Sequence, residues 1–213
     1  MLSVTRRYQL VVKPLIWIAA LAPLLLMVLG VAGIAGQSLG ADPVRAVLHQ
    51  SGKTAINLLL ITLAVTPLRQ LLGWTHLLRV RRLLGVFTFF YALLHLTIYL
   101  GLDLRFDLAH LLKDLTKRPY ITVGFTALVI LTALAATSTQ KMMRRLGRRW
   151  QSLHRWVYAV GILAVWHFWW QVKRDITEPL LYAGMLAILL GWRIWRRRAA
   201  TSPSVPATAP GRT

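Results

Sequence analysis

The sequence contains no cysteine and only six acidic residues among its 213 positions. The missing cysteine excludes disulfides, thiolate-ligated haem, covalently attached c-type haem and cysteine-ligated iron–sulfur clusters. The sequence also shows neither the period-two alternation of half-buried strands nor a convincing internal repeat. Any redox chemistry of this chain must therefore use a cofactor that is bound without covalent attachment and without thiolates.

What the sequence has instead is apolar surface: 56% of its residues are hydrophobic and its mean hydropathy is +0.55. Ordinary soluble domains have about 45–50% apolar residues, so the composition indicates an integral membrane protein. We predict an all-α, polytopic bundle of six transmembrane helices. The first window is too long for a signal peptide and is expected to be retained. The six apolar windows are residues 15–35, 55–68, 83–102, 120–138, 151–172 and 179–195.

The net charge of +20 comes from basic residues that flank these windows, which argues against nucleic-acid binding and for a lipid bilayer. The flanks on one side hold 18 of the 26 basic residues and none of the acids, whereas the other side is nearly balanced. Cytoplasmic flanks collect Lys and Arg, so both termini are predicted to be cytoplasmic. Residues 199–213, rich in Pro, Ala, Ser and Thr, are predicted to form a disordered cytoplasmic tail.

Three histidines, His95, His154 and His167, lie within the third and fifth windows. An ionisable residue inside a membrane is costly unless a partner stabilises it, and it therefore marks a functional site. For one such histidine the simpler interpretation is a neutral imidazole hydrogen-bonded to a neighbouring helix. Three of them on two parallel spans favour haem b, which two histidines on facing helices of a bundle can hold. His49, His76 and His110 fall in connectors and are expected at the surface.

Depth in the membrane ranks the possible ligand pairs. At 1.5 Å of rise per residue, His95 lies about 20 Å from the basic start of its span, His154 about 7 Å and His167 about 27 Å. His95 with His167 is therefore the best pair. If the fifth window is a single helix, its two histidines lie about 20 Å apart and cannot share one iron. His154 then implies a second haem or an alternative pairing.

Arg81 stands where a second ligand opposite His154 would be needed. It could pair with haem propionates instead of iron, as could the three other arginines at this end of the two spans. The simpler interpretation is that these side chains anchor helix ends at the membrane surface. They are Arg82, Arg149 and Arg155.

Several short motifs, in order and spacing, resemble the MsrQ family, also called YedZ, whose members are haem-binding membrane subunits of a bacterial periplasmic methionine sulfoxide reductase system. The resemblance covers about residues 10–198. The motifs are GADPV at 40–44, RRLLG at 81–85, YALLH at 91–95, RPY at 118–120, TSTQ at 137–140, LGRRW at 146–150 and LH at 153–154.

This resemblance implies a ferric reductase-like transmembrane domain over residues 1–198, located in the bacterial inner membrane. It implies haem b ligated at positions 95, 154 and 167, and FMN at positions that the sequence does not identify. Electrons would pass from the quinone pool to a periplasmic, molybdenum-containing subunit that reduces methionine sulfoxide and carries the catalytic site. Relative to the related NADPH oxidases, an arginine replaces the fourth histidine and the NADPH-binding domain is missing.

Two other functions stay open at this point. A self-contained ferric reductase would deliver electrons to iron at the outer face, although the outer loops do not cluster carboxylates convincingly. A transporter or assembly factor would use the histidines to relay protons.

Overall fold

The computed structural model describes residues 8–34, 39–73, 77–172 and 175–201, and within these ranges all regular structure is helical. His76 and residues 202–213 lie outside the described residues. A short π-helical turn, Tyr8–Val12, leads into α1, and another, Tyr99–Asp103, follows α3. The helices are α1 Lys13–Val31, α2 Pro43–Leu72, α3 Leu77–Ile98, α4 Leu108–Lys117, α5 Pro119–Ala136, α6 Gln140–Leu146, α7 Arg148–His154, α8 Val157–Gln171 and α9 Thr177–Thr201.

The prediction of an all-helical membrane protein is confirmed, and four of the described segments are long and apolar enough to cross a bilayer. They are Gln9–Val31, Pro43–Leu72, Arg79–Asp103 and Pro119–Ala136. The last two predicted windows correspond to α8, which has only 15 residues, and α9, which has 25. A count of six spans is therefore not established by helix length and composition, and it stays a prediction.

Two predicted boundaries are wrong. The second window was expected to begin at Ala55, but α2 begins at Pro43, where the Asp42 carboxylate caps the helix by accepting a hydrogen bond from the Arg45 amide. The fifth window was expected to be one helix, but α7 ends at His154 and α8 begins at Val157. Between them, Arg155 and Trp156 donate to carbonyls three residues back, so the regular helical ladder is interrupted.

The end of α9 also differs from the predicted start of the tail. The helix continues to Thr201, three residues past the boundary expected at Arg198.

The helices form two packed units that share α2. One core joins α1, α2 and α3 around Tyr91, whose hydroxyl donates to the Ala20 carbonyl of α1 at 2.6 Å. The other joins α2, α5, α8 and α9 around Leu63 and Val160. Within these units α2 with α3, and α5 with α8, form two antiparallel hairpins. A cavity opens between the hairpins, and this cavity contains the candidate site.

Candidate cofactor site

Two of the three predicted histidines meet in a cavity of about 1000 Å³. The imidazole ring centres of His95, on α3, and His167, on α8, lie 6.3 Å apart with their planes at 82°. His95 is three residues from the end of its helix and His167 four, so the pair lies near one end of the bundle. The structure therefore brings together the two histidines that depth in the membrane had ranked first.

Each imidazole is held from behind by a main-chain carbonyl. Nδ1 of His95 lies 3.0 Å from the Leu48 carbonyl oxygen and 3.3 Å from Oγ of the fully buried Ser51, both on α2. Nδ1 of His167 lies 2.7 Å from the Tyr120 carbonyl oxygen on α5. A carbonyl oxygen only accepts hydrogen bonds, so Nδ1 carries the proton in both rings. In both, Nε2 keeps the lone pair that binds a metal.

The cavity fits haem held by these two residues. Both rings line the cavity of about 1000 Å³, their centres lie 6.3 Å apart, and each would offer Nε2 to a haem iron held between them. Glycines stand behind both rings, because a Cβ atom at Gly52 would lie 3.1 Å from the His95 ring and one at Gly124 2.7 Å from His167 Nδ1.

Charged side chains of both signs surround the mouth of the cavity. Arg45 pairs with Asp42 at 3.4 Å, and Lys53 pairs with Glu178 at 2.6 Å. Asp175 also lies at this rim, where hydrogen bonds from Thr177 hold the pKa of its exposed carboxyl below the ordinary value. The rim is thus a polar surface close to the two histidines.

A buried carboxylate supports the start of α5. Asp114 of α4 is only 4% exposed; it accepts a hydrogen bond from the Tyr99 hydroxyl at 2.5 Å and pairs with Arg118 at 3.2 Å. Arg118 directly precedes Pro119, the first residue of α5, and Tyr120, whose carbonyl holds His167. This contact set links the π-helical turn after α3, helix α4 and the start of α5 beside the cavity.

His154 does not join the other two histidines. It ends α7, stacks on Trp150 with ring centres 4.0 Å apart, and its Nε2 lies 3.2 Å from the Thr137 hydroxyl oxygen. That hydroxyl already donates to the Ala133 carbonyl, so it accepts from His154, and Nε2 is the protonated nitrogen. His154 is not among the residues that line the cavity. Its role as a haem ligand therefore stays a prediction.

The four arginines proposed to bind propionates lie away from the cavity as well. Arg81 is half-buried and its charge acts on His154, whereas Arg82, Arg149 and Arg155 are exposed. If they bind propionates, they do so at the His154 end of the bundle. Among the described residues, no group of three or more His, Asp or Glu side chains is arranged to hold a metal ion.

Several residues of the site were missed by the sequence analysis. His49 was expected in a surface connector but lies on α2 and lines the cavity, and Gly52 and Gly124 were not singled out. A usable signal existed, because Gly52 and Gly124 each precede a predicted ligand by 43 residues. The equal spacing gains a structural meaning only once α2 is known to pair with α3, and α5 with α8.

Comparison with known proteins identifies the family. The family model described as ferric reductase like transmembrane component matches residues 51–165. The chain is 58% identical to the protein-methionine-sulfoxide reductase heme-binding subunit MsrQ of Xanthomonas campestris pv. campestris strain B100, over 81% of this chain and 79% of the relative. The chain belongs to the MsrQ family.

Further MsrQ relatives match over nearly the whole length. The MsrQ of Xanthomonas axonopodis pv. citri strain 306 is 51% identical over 93% of this chain and 92% of its own. The MsrQ of Bordetella pertussis strain Tohama I is 49% identical over 89% of this chain and 93% of its own. No solved structure gives a significant match.

Proposed function

We propose that this chain is a haem b-binding electron-transfer subunit, with His95 and His167 as the residues that would hold the haem iron. The observation that carries the proposal is the pair of imidazoles with ring centres 6.3 Å apart, each with Nδ1 held by a main-chain carbonyl. The names of the relatives, which describe them as heme-binding subunits, support it. Haem b supplies one-electron oxidation and reduction when bound between these residues.

The protein residues have three tasks in this function. Leu48 and Tyr120 orient the ligands through their carbonyls, and apolar residues of α2, α5 and α8 line the cavity around the pair. The charged rim gives a docking partner a polar surface near the ligands. We propose that the acceptor is a periplasmic, molybdenum-containing methionine sulfoxide reductase, and that electrons come from the quinone pool across the inner membrane.

His154 and its neighbouring arginines lie at the opposite end, which this proposal assigns to the cytoplasmic face. A second cofactor bound there would divide the path of the electron across the membrane into two shorter transfer steps. FMN, which the resemblance implies, stays a prediction without an assigned site, and extraction of flavin from purified protein tests it.

The hydrogen bonding argues against a proton relay through the paired histidines. Both donate Nδ1–H to main-chain carbonyls, which do not exchange protons at neutral pH. A self-contained ferric reductase remains the second candidate, because the matching family model carries that description.

An optical spectrum of the purified, haem-replete protein tests the proposal. We expect a Soret band and sharp α and β bands after reduction with dithionite, as bis-histidine haem gives. Lack of these bands would exclude the electron-transfer function.

The acceptor is tested separately. Oxidation of the reduced chain by a co-purifying periplasmic molybdoenzyme would support the proposed partner. Rapid reduction of ferric chelates by the chain alone, with no transfer to a molybdoenzyme, would favour the ferric reductase.

A further inference from the structure

The two hairpins hold their histidines in the same way. On α2, the Leu48 carbonyl and Gly52 lie one turn apart, and His95 of α3 contacts both. On α5, the Tyr120 carbonyl and Gly124 lie one turn apart, and His167 of α8 contacts both. We propose that Gly52 and Gly124 are positioning residues for the haem ligands, each leaving the space through which a histidine reaches a helix carbonyl. This inference rests on the proposed function.

The spacing along the chain is identical in both hairpins. Each carbonyl precedes its histidine by 47 residues, and each glycine follows its carbonyl by four. All three positions of the second hairpin therefore lie 72 residues after those of the first. The hairpins α2–α3 and α5–α8 thus hold their histidines with the same spacing, and they face each other across the cavity.

Helix geometry explains why the fourth residue after the carbonyl must be glycine. In an α-helix the carbonyl of residue i accepts from the amide of residue i+4 and keeps a second lone pair. A group from another helix that approaches this lone pair passes beside the Cβ position of residue i+4. With glycine at that position, the imidazole can reach the carbonyl and donate Nδ1–H.

The distance from an added Cβ atom to its nearest neighbour predicts how strongly each glycine-to-alanine substitution displaces the histidine ring. A Cβ atom at Gly124 would lie 2.7 Å from Nδ1 and 2.9 Å from Cε1 of His167, closer than carbon and nitrogen tolerate, so the ring must move off the Tyr120 carbonyl. A Cβ atom at Gly52 would lie 3.1 Å from the His95 ring, which requires a smaller shift. Gly85 of α3 is a matched control, since its nearest neighbour would be the Thr62 methyl group at 3.9 Å.

The experiment compares Gly124→Ala, Gly52→Ala and Gly85→Ala in the full-length, haem-replete protein. Haem-to-protein ratio, ferric spin state and midpoint potential are measured, with helix content followed by circular dichroism. We expect Gly124→Ala to weaken haem binding by about 10- to 100-fold, the usual cost of losing an outer-shell partner of a ligating histidine. Gly52→Ala should lose less, and Gly85→Ala should match the wild type.

A second measurement separates positioning from general damage. Loss of one well-oriented ligand leaves an open iron position, so haem remaining in Gly124→Ala should be partly high-spin. Added imidazole should restore its low-spin spectrum while the haem stays bound to a chain of wild-type helix content. A chain that had simply lost its fold would lose both its haem and its helix content. If Gly124→Ala does not yield folded protein, the milder Gly52→Ala decides by the same measurements.

The inference is overturned if Gly52→Ala and Gly124→Ala both keep the haem-to-protein ratio, the ferric spin state and the midpoint potential of the wild type. His167→Ala distinguishes this failure from failure of the proposed function. If His167→Ala loses haem while Gly124→Ala behaves as wild type, only the positioning role of glycine is wrong. If His167→Ala keeps all its haem in the low-spin form, the ligand assignment itself is wrong.

Discussion

The imidazoles of His95 and His167 are oriented by main-chain carbonyls and not by carboxylates. A carboxylate partner would increase the basicity of the ligand and add a negative charge inside the membrane. A helix carbonyl fixes the tautomer at no cost in buried charge. The backbone of α2 and α5 therefore sets the orientation of both rings. A substitution on these helices disturbs a ring only where the new side chain would occupy the space of that ring.

The histidine assignments are tested by single alanine substitutions. We expect His95→Ala and His167→Ala each to lose most of the bound haem, because each removes one axial ligand. His154→Ala should keep a substantial fraction, because His154 lies outside the cavity. The haem-to-protein ratio of the three purified variants measures this. If His154→Ala is the most damaging, the ranking of ligand pairs is wrong.

At the scale of helices, α2 is the element that connects the whole bundle. Pro67 lies inside α2 and has no amide proton, so the Leu63 carbonyl lacks its usual helical donor. Arg193 of α9 fills this gap, since its Nη2 donates to the Leu63 carbonyl at 2.8 Å. Its Nη1 donates to the Tyr158 hydroxyl of α8. One arginine therefore joins three helices at a place where α2 cannot satisfy its own backbone.

Replacing this arginine tests that role. We expect Arg193→Met to lower the free energy of unfolding by about 1–3 kcal/mol. Hydrogen bonds to charged groups contribute values of this size, and the lower end applies because Arg193 is partly exposed to solvent. Arg196→Met, at an exposed position of the same helix, is the matched control and should have little effect. Unfolding of the purified proteins by denaturant in detergent measures both. Equal stabilities of the two variants would contradict the role assigned to Arg193.

At the scale of the whole molecule, the polar contacts of α9 define its direction relative to α2. Lys53 pairs with Glu178 in the first half of both helices, and Gln70 accepts from Trp192 in the second half of both. The two helices are therefore parallel. If both span the membrane, residues 43 and 177 lie at one face, and the basic end of α9 lies at the other. The predicted cytoplasmic C-terminus would place residues 43 and 177 at the periplasmic face.

Cysteine labelling assigns the side without background, because the wild-type chain has no cysteine. We expect Thr116→Cys, exposed on α4, to react with a membrane-impermeant maleimide in spheroplasts. Lys141→Cys, exposed on α6, should react only after the membrane is permeabilised. The reverse pattern would invert the topology and place the histidine pair near the cytoplasm.

Hydropathy predicted the membrane class and the apolar segments, but it failed where polar residues belong to a helix. The first three turns of α2 carry Arg45, His49, Ser51 and Lys53, which line the cavity or contact its histidines, so this stretch resembles a connector in sequence. The break between α7 and α8 was missed because neither of its two residues, Arg155 and Trp156, is a proline or a glycine that would mark a helix end.

Composition and spacing by themselves determined that this is a helical membrane protein, and that any redox cofactor would have to be bound without thiolates. They also ranked His95 with His167, because depth along parallel helices follows from a constant rise per residue. Only the tertiary structure decided which carbonyls orient the rings, that glycines stand behind both, and that His154 lies apart. Each contact between a ring and a carbonyl joins residues 47 positions apart in the chain, and no local pattern specifies such a contact.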